Sequence, residues 1–193
     1  MYRFALAAAV TLAAFASIPA SANYTNTQFD PLTGRVLKAP SFVEKKATGI
    51  PREVIDYSGP YAPGTIVVNT GERRLYYVTG GGLAIRYGIG VARPGFEWAG
   101  THKISQKREW PGWTPPEQMK QRQPGLPDFV PGGIDNPLGA RAMYLGSSLY
   151  RIHGSNDPQS IGKAMSSGCI RMLNEDVVDL YERVQVGTRV VVL

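Results

Sequence analysis

Any fold of this chain has to accommodate residues 149–172, which read LYRIHGSNDPQSIGKAMSSGCIRM. This segment holds the only cysteine, Cys169, and one of the two histidines, His153, sixteen residues before it. Residues 149–153 are typical of a β-strand that ends at an imidazole, and the polar residues that follow lead back to the cysteine. A thiol beside an imidazole is the minimum equipment for nucleophilic catalysis.

The N-terminus has the pattern of a secretory signal peptide. Arg3 supplies a positive charge, residues 4–18 are apolar and rich in alanine, and residues 19–22 read PASA. We predict cleavage after Ala22. The apolar run is too short to favour a transmembrane helix, so no membrane span is expected after cleavage, with an uncleaved anchor as the alternative. The protein is therefore predicted to be exported to the periplasm or cell envelope.

Charge and cysteine content limit the kinds of ligand, metal and disulfide that this chain is expected to have. The formal net charge is +6, which either serves solubility or matches a carboxylate-bearing or polyanionic partner, such as cell-wall peptide or a membrane surface. The sequence contains no run of basic residues of the kind that binds nucleic acid, so no nucleic-acid partner is expected. One cysteine cannot form an internal disulfide. Two histidines and one cysteine in this arrangement make no credible metal site, so we predict no metal and no cofactor.

The pattern of elements predicts a mainly β domain over residues 61–193, after a loosely structured extension over 23–60. Strands are predicted at residues 65–69, 73–79, 83–91, 100–109, 140–146, 149–153 and 188–193, several of them in hairpins. Asn174 is predicted to cap a helix whose apolar stripe includes Val177 and Leu180. A second, short helix is predicted near residues 159–165.

Residues 110–137 interrupt this regularity with seven prolines and four glycines in 28 residues. That composition excludes a long helix or a central strand. A loop of this length is usually a lid, a binding loop or disordered. Because Trp110 and Trp113 are aromatic groups that need something to cover, we predict a substrate-gating flap and name both tryptophans as candidate substrate-binding residues.

Spacing around the cysteine suggests how a site is built. In an extended strand, Cys169 and Arg171 point to one side, and the apolar residues between and after them point to the other. Arg171 then either lowers the pKa of the thiol, binds a substrate carboxylate, or forms a surface ion pair. Gly168 permits unusual backbone geometry, so that the N–H groups of Ser167, Gly168 and Cys169 converge on one oxyanion.

Two states of the thiol are open on the sequence alone. If His153 is an imidazolium, it lowers the pKa of Cys169, and the thiol is alkylated well below pH 8.5. If the pair stays neutral until substrate arrives, His153 acts as a general base during attack. A backbone carbonyl after His153, or the side chain of Asn156 or Asp157, would orient the ring.

The runs YRIHGS and SSGCIRM, with their sixteen-residue spacing, resemble the signature of the L,D-transpeptidase (YkuD-like) catalytic domain. The resemblance extends over roughly residues 61–193 and implies a β-sandwich of twisted sheets with one or two short helices and a long Pro/Gly-rich flap. It implies that Cys169 is the nucleophile, His153 the base and the Gly154 carbonyl the orienting group. Ser167, where many members carry a second histidine, contributes through its backbone.

The resemblance implies acyl transfer on peptidoglycan stem peptides. The cysteine forms a thioester with loss of D-alanine, and the acyl group passes to an amine of another stem, giving a 3→3 cross-link, or to an envelope protein. With water as acceptor the enzyme is an L,D-carboxypeptidase. Three alternatives are weighed: a sortase-like transpeptidase, a papain- or NlpC/P60-type peptidase, and a non-catalytic wall-binding module. A papain- or NlpC/P60-type peptidase is disfavoured because its cysteine normally precedes its histidine. A sortase has the order His, Cys, Arg, but here Arg171 follows Cys169 too closely, and the upstream His102 lacks a comparable motif. The intact Cys–His pair argues against the binding module.

Overall fold

The computed structural model describes residues 28–29, 36–37, 50–146 and 148–193. The predicted signal peptide and most of the predicted extension lie outside these residues. The chain divides into two compact units, Met1–Phe42 and Val43–Leu193. In the first, strands β1 (Gln28–Phe29) and β2 (Val36–Leu37) pair antiparallel. No helix in the described ranges is long and apolar enough to cross a membrane.

The second unit is built on a mixed sheet of nine strands in the order β12-β10-β9-β8-β13-β4-β5-β6-β3, and β7 and β11 form a separate parallel pair. The strands are β3 (Glu53–Asp56), β4 (Ile66–Asn69), β5 (Arg74–Gly80), β6 (Leu83–Gly88), β7 (Val91–Ala92), β8 (Gly100–Glu109), β9 (Arg141–Leu145), β10 (Arg151–His153), β11 (Ala164–Ser166), β12 (Ile170–Arg171) and β13 (Arg189–Val192). The α-helices are α1 (Glu117–Arg122) and α2 (Asn174–Arg183), and Pro158–Ser160 form a 3-10 turn.

Strand β8 joins the two halves of the sheet. Its first residues pair with β13, and its later residues, from Ile104 onward, pair with β9, with a bulge between Ile104 and Gln106. A bulge bends and twists a strand, which lets one long strand serve two differently oriented partners. Apolar side chains from both halves, among them Ile66 and Met143, belong to one buried cluster together with Leu180 of α2. The prediction of a mainly β fold with few helices is confirmed.

The apolar pattern of the chain explains the centre of the sheet. β4 reads IVVN and β13 reads RVVV, and the two lie side by side in parallel register. Nearly continuous apolar runs of this kind suit strands that are buried on both faces. The predicted hairpins β4–β5 and β9–β10 are present as antiparallel pairs.

The sheet begins earlier than the sequence pattern indicated. Edge strand β3 lies within residues 23–60, where we predicted a loosely structured extension, and it pairs antiparallel with β6. The strand is short, and Val54 remains 66% exposed. An exposed strand of four residues lacks the apolar periodicity by which strands are recognised, so its pairing is set by the neighbouring strand.

Two local predictions were wrong. Asn174 does not cap α2: its Oδ1 accepts from the Ala140 N–H at 2.9 Å, and its Nδ2 donates to the Ser155 carbonyl at 3.1 Å. The short helix predicted near residues 159–165 is instead the 3-10 turn followed by β11, because β11 pairs with β7, a strand that is distant in sequence. In both cases long-range contacts overrode a local preference.

Helix α2 contains a buried acid whose pKa makes a testable prediction. Burial raises the pKa of the Asp176 carboxyl to about 6, Glu175 and Asp179 add to the effect, and Arg52 opposes it. The folded protein therefore holds a proton that the unfolded chain releases between about pH 4 and pH 6, so this group lowers stability as the pH rises through that window. We expect Asp176→Asn to raise the free energy of unfolding at pH 7.5 by roughly 1–3 kcal/mol.

Thermal unfolding of Asp176→Asn and wild type between pH 4 and pH 8 measures this effect. Glu182→Gln is the matched control, because it removes an exposed acid from the same helix that is not among the charges shifting the pKa of Asp176. The stability advantage of Asp176→Asn should shrink as the pH falls to 4. An advantage that is equal at every pH would show that the ionisation of Asp176 is not its source.

Candidate active site

His153 ends β10 and is almost fully buried, at 4% exposure. Its Nδ1 lies 2.5 Å from the Gly154 carbonyl oxygen. Because a carbonyl only accepts hydrogen bonds, Nδ1 carries the proton and Nε2 keeps a free lone pair. Asn156 donates instead to the Asp135 carbonyl, and Asp157 accepts from the Gln159 N–H, so neither alternative orienting side chain takes that role.

The turn after His153 requires glycine at position 154. A Cβ on Gly154 would collide with Asn174 Oδ1 and lie 3.0 Å from the Ala140 nitrogen. The same Asn174 side chain links this turn, through the Ser155 carbonyl, to the Ala140 N–H just before β9. The carbonyl that orients the imidazole is thus fixed by close packing, and Asn174, predicted as a helix cap, serves this turn instead.

The imidazole is neutral. Burial, and then the nearby positive charge of Arg171, lower the pKa of His153 to about 3, against the opposing effect of the Gly154 carbonyl. Protonated at neutral pH, the ring would be a buried cation beside a guanidinium, which is unfavourable. His153 is therefore suited to accept a proton at Nε2 rather than to act as a cation.

Cys169 lies directly before β12, a strand that runs parallel to β10 and places Arg171 opposite His153. Burial raises the pKa of the thiol above its ordinary value, while Arg151 and Arg171 act in the opposite direction. The thiol Sγ is 4.0 Å from the Leu149 carbonyl oxygen. The resting pair is thus a thiol and a neutral imidazole, which favours the second of the two states left open by the sequence.

The loop before Cys169 is held by Ser166. Its Oγ donates to the Cys169 carbonyl at 2.6 Å and accepts from the Gly168 N–H at 3.2 Å. Gly168 has φ = +112°, a conformation that residues with a side chain rarely adopt. Of the three N–H groups predicted to face an oxyanion, that of Gly168 is already directed at Ser166, which leaves Ser167 and Cys169 as the candidate donors.

A cavity of about 420 Å³ brings most of the predicted residues together. Its lining includes Cys169, His153, Ser167, Arg171 and Trp113. The predicted side of the β12 segment is also correct, since Cys169 and Arg171 line the cavity whereas the residues next to them, Ile170 and Met172, are buried in the core.

The predicted flap, residues 110–137, covers this cavity in part. Trp113 and Val130 exchange backbone hydrogen bonds of 2.8 Å, which closes the segment into a loop, and Met119 and Arg122 of α1 line the cavity. Trp110 does not line it. Trp110 directly follows β8, and its backbone N–H donates to the carbonyl of Ala140, which directly precedes β9. Trp110 therefore belongs to the base of the flap rather than to its inner surface.

Several residues around the site could not be singled out from the sequence. Arg151 lines the cavity, and its buried Nε has no hydrogen-bond partner within the part of the chain that is described. Among the described residues that line the cavity, three are arginines, Arg122, Arg151 and Arg171, and none is acidic. The alternation of β10 placed Arg151 on the His153 face of the strand, but only tertiary contacts show which face meets the cavity.

Residues 63–192 match the sequence model of the YkuD family, described as the L,D-transpeptidase catalytic domain. The chain belongs to the L,D-transpeptidase family. It is 44% identical over 134 residues to the probable L,D-transpeptidase YbiS of Escherichia coli strain K12, an alignment that covers 65% of this chain and 43% of that relative. The chain thus spans less than half the length of that curated relative.

Solved structures show the same fold. A Brucella melitensis protein described as a probable carnitine operon oxidoreductase is 45% identical, with a TM-score of 0.52, over 76% of this chain and 95% of that one. The catalytic domain of the Enterococcus faecium L,D-transpeptidase acylated by ertapenem is 22% identical, with a TM-score of 0.53, over 70% of this chain and all of that one. The second likeness establishes the L,D-transpeptidase fold alone.

The flap of this family member gives a second prediction. None of the buried core cluster comes from residues 110–137, and no strand of the nine-stranded sheet lies there. Replacing residues 111–136 by a short Gly/Ser linker should therefore change the melting temperature by only a few degrees, while removing Trp113, Met119 and Arg122 from the cavity. We expect acylation of Cys169 to slow by about tenfold or more, because the donor is no longer positioned.

A pair of point variants separates the cavity wall from the rest of the flap. Met119→Ala alters the lining, whereas Phe129→Ala alters an exposed flap residue outside the lining. Acylation should slow in the first and stay close to wild type in the second. Insoluble or molten protein after flap replacement would instead show that the flap stabilises the domain.

Proposed function

We propose that this chain is an exported cysteine acyltransferase that acts on peptidoglycan stem peptides. The observation that carries the proposal is that the Cys169 thiol and a neutral His153 line one cavity, with His153 Nδ1 bound to the Gly154 carbonyl so that the lone pair lies on Nε2. That arrangement is a nucleophile with a base, and the base is oriented by a third group. Membership of the L,D-transpeptidase family supports the reaction class.

In the first half-reaction Cys169 Sγ attacks the donor carbonyl carbon, and its proton passes to His153 Nε2. The carbonyl oxygen becomes an oxyanion that accepts hydrogen bonds from the backbone N–H groups of Cys169 and Ser167. The C–N bond to D-alanine then breaks, and the departing amine takes the proton from Nε2. The product is a thioester on Cys169 and free D-alanine.

In the second half-reaction an acceptor amine attacks the thioester carbonyl and gives a proton to His153 Nε2. The C–S bond breaks, and the sulfur recovers that proton. With an amine of a second stem the product is a 3→3 cross-link. With an amine of an envelope protein the product is an anchored protein, and with water it is a shortened stem, as in an L,D-carboxypeptidase.

The charge of the cavity supports a carboxylate-bearing donor. Arg122, Arg151 and Arg171 line it, and no acidic side chain in the described part of the chain lines it to offset them. A partly enclosed cavity with several guanidinium groups favours an anionic ligand, since arginine pairs with carboxylates in a bidentate manner. Stem peptides carry free carboxylates, and so the proposed substrate class and the cavity agree in charge.

Export is part of the proposal. Peptidoglycan lies outside the cytoplasmic membrane, and residues 1–22 have the composition of a cleavable signal peptide. N-terminal sequencing of the protein recovered from a periplasmic extract tests this point. A mature N-terminus at Asn23 is expected, and an intact Met1 on membrane-bound protein would support the uncleaved anchor.

Incubation of the purified protein with disaccharide-tetrapeptides, followed by mass spectrometry of the products, tests the reaction. Cross-linked dimers with released D-alanine are expected of a transpeptidase, and tripeptides with released D-alanine are expected of a carboxypeptidase. A mass increase on Cys169 identifies the thioester in either case. Unchanged substrate, bound without conversion, would favour the wall-binding module and contradict the proposal.

A further inference from the structure

We infer that Trp98 is a positioning residue that fixes the orientation of the Cys169 N–H, the candidate oxyanion donor. The indole Nε1–H of Trp98 donates to the Gly168 carbonyl oxygen at 2.7 Å, although the two residues are 70 positions apart in sequence. The inference rests on the proposed acyl transfer and deepens it, because it assigns the group that aims the oxyanion donor before substrate binds.

The peptide between Gly168 and Cys169 links the two groups rigidly. No described peptide bond is cis, and in a planar trans peptide the C=O and the following N–H point in opposite directions. A hydrogen bond that holds the Gly168 carbonyl towards Trp98 therefore directs the Cys169 N–H away from Trp98. That N–H has no acceptor among the described residues, so it is free to bind a ligand oxygen.

The residues that this peptide links border different cavities, which indicates where the N–H is directed. Trp98 and Gly168 line a second cavity of about 250 Å³, which Cys169 does not line. Cys169 and His153 line the first cavity, of about 420 Å³. Neither Trp98 nor Gly168 lines that cavity. With its carbonyl on the Trp98 side, the peptide presents its N–H on the side of the thiol and the imidazole.

This peptide needs an external restraint because its first residue is glycine. Gly168 has φ = +112° and no side chain, so its two peptide planes rotate more readily than those of other residues. Glycine is nevertheless required, since a Cβ would meet the ring of Tyr150 at 2.8 Å from Cδ1 and closer still at a second ring atom. Ser166 restrains the flanking groups, the Gly168 N–H and the Cys169 carbonyl. The peptide between them is restrained by Trp98.

Trp98 is itself held in place. Its ring stacks on Tyr150 with centroids 4.3 Å apart and planes 2° from parallel, and it meets His102 edge-on at 5.1 Å and 89°. It also packs against the buried apolar cluster. A donor fixed before reaction costs no reorganisation during it, which is the condition under which oxyanion stabilisation is most effective.

Replacing Trp98 by phenylalanine tests the inference, because phenylalanine keeps an aromatic ring against Tyr150 but has no N–H. Two rates are measured on the same protein: acylation of Cys169 by ertapenem, which forms an oxyanion, and alkylation of Cys169 by iodoacetamide, which does not. We expect acylation to fall by about tenfold or more, towards the roughly 10²–10³-fold loss that follows removal of an oxyanion donor. Alkylation should stay within about twofold of wild type.

His102→Phe is the matched control, since phenylalanine keeps an aromatic ring against Trp98 and leaves the bond to Gly168 intact, and both of its rates should match wild type. Equal acylation rates in Trp98→Phe and wild type would overturn the inference. A parallel fall in both rates would also overturn it, since Trp98 would then support the whole loop rather than one donor. If Trp98→Phe does not fold, 3-benzothienylalanine at position 98 replaces only the N–H by sulfur, and the same two rates decide.

The two proposals fail differently. Wild-type protein that ertapenem and tetrapeptide donors never acylate would overturn the acyltransferase proposal and this inference with it. Wild-type protein that is acylated, together with a Trp98→Phe variant of equal acylation rate, would overturn the inference alone and leave the proposed function intact.

Discussion

Cys169→Ala is expected to fold normally and to form no acyl-enzyme at all. Cys169 is the only cysteine of the chain, and the other described residues that line the cavity, including Ser167 and Arg171, carry no group that replaces a thiol as nucleophile. The variant removes one sulfur from a half-buried position, so the loss of stability should be about 1 kcal/mol or less. Intact-protein mass spectrometry after incubation with ertapenem or tetrapeptide measures the adduct directly.

Cys169→Ser sharpens the test, because a hydroxyl keeps nearly the same shape but is a much weaker nucleophile beside a neutral base. It should match Cys169→Ala in product formation and wild type in melting temperature. Cross-linked dimers from Cys169→Ala would refute the assignment of the nucleophile. A large fall in the melting temperature of both variants would mean that the Cys169 side chain mainly stabilises the packing of the fold.

The strands were predictable where local pattern and final environment agree. β4 and β13 are apolar throughout because both of their faces are covered, and the turn between β4 and β5 has local turn chemistry. Edge strand β3 escaped detection because its residues are mostly exposed, and the partner strand β6 determines its pairing. The alternation of apolar and polar residues arises because one face of a strand is buried, so an exposed strand does not show it.

The candidate site was predictable as far as its motif extends. The Cys169–His153 pair and the Gly154 carbonyl follow from adjacent residues and from the family resemblance. Trp98 and Arg151 do not: the first reaches the loop through a contact across 70 positions, and the second differs from any surface arginine only by its burial. Asn174 shows the reverse case: its sequence position suits a helix cap, but its side chain instead bonds to Ala140 and Ser155 near the turn after His153.

The electrostatic state of the pair was the least predictable property. An imidazole next to a thiol suggests an ion pair if only the two groups are considered. The structure adds burial of both groups and two guanidinium groups, Arg151 and Arg171, which disfavour a third positive charge. Charge balance in a buried site depends on all the surrounding groups, and a sequence motif shows only some of them.

His153→Ala is expected to slow acylation of Cys169 by roughly 10²–10⁴-fold, because Nε2 accepts the thiol proton during attack. The control is His102→Phe, which removes the other histidine of the chain and should be acylated at the wild-type rate. The pH dependence carries the sharper information. Since the pKa of His153 is lowered to about 3, the base stays unprotonated down to that range, and wild-type acylation should not decline between pH 7 and pH 5.

Alkylation separates a general base from an ion pair. Iodoacetamide reacts with the thiolate, and burial raises the pKa of Cys169, so alkylation of the resting enzyme should be slow at pH 7 and increase only in the alkaline range. A neutral imidazole contributes no charge, and His153→Ala should therefore leave the pH profile of alkylation nearly unchanged while acylation collapses. Rapid wild-type alkylation at pH 6 that His153→Ala abolishes would establish an imidazolium–thiolate pair instead. Equal acylation in His153→Ala and wild type would remove His153 from the reaction.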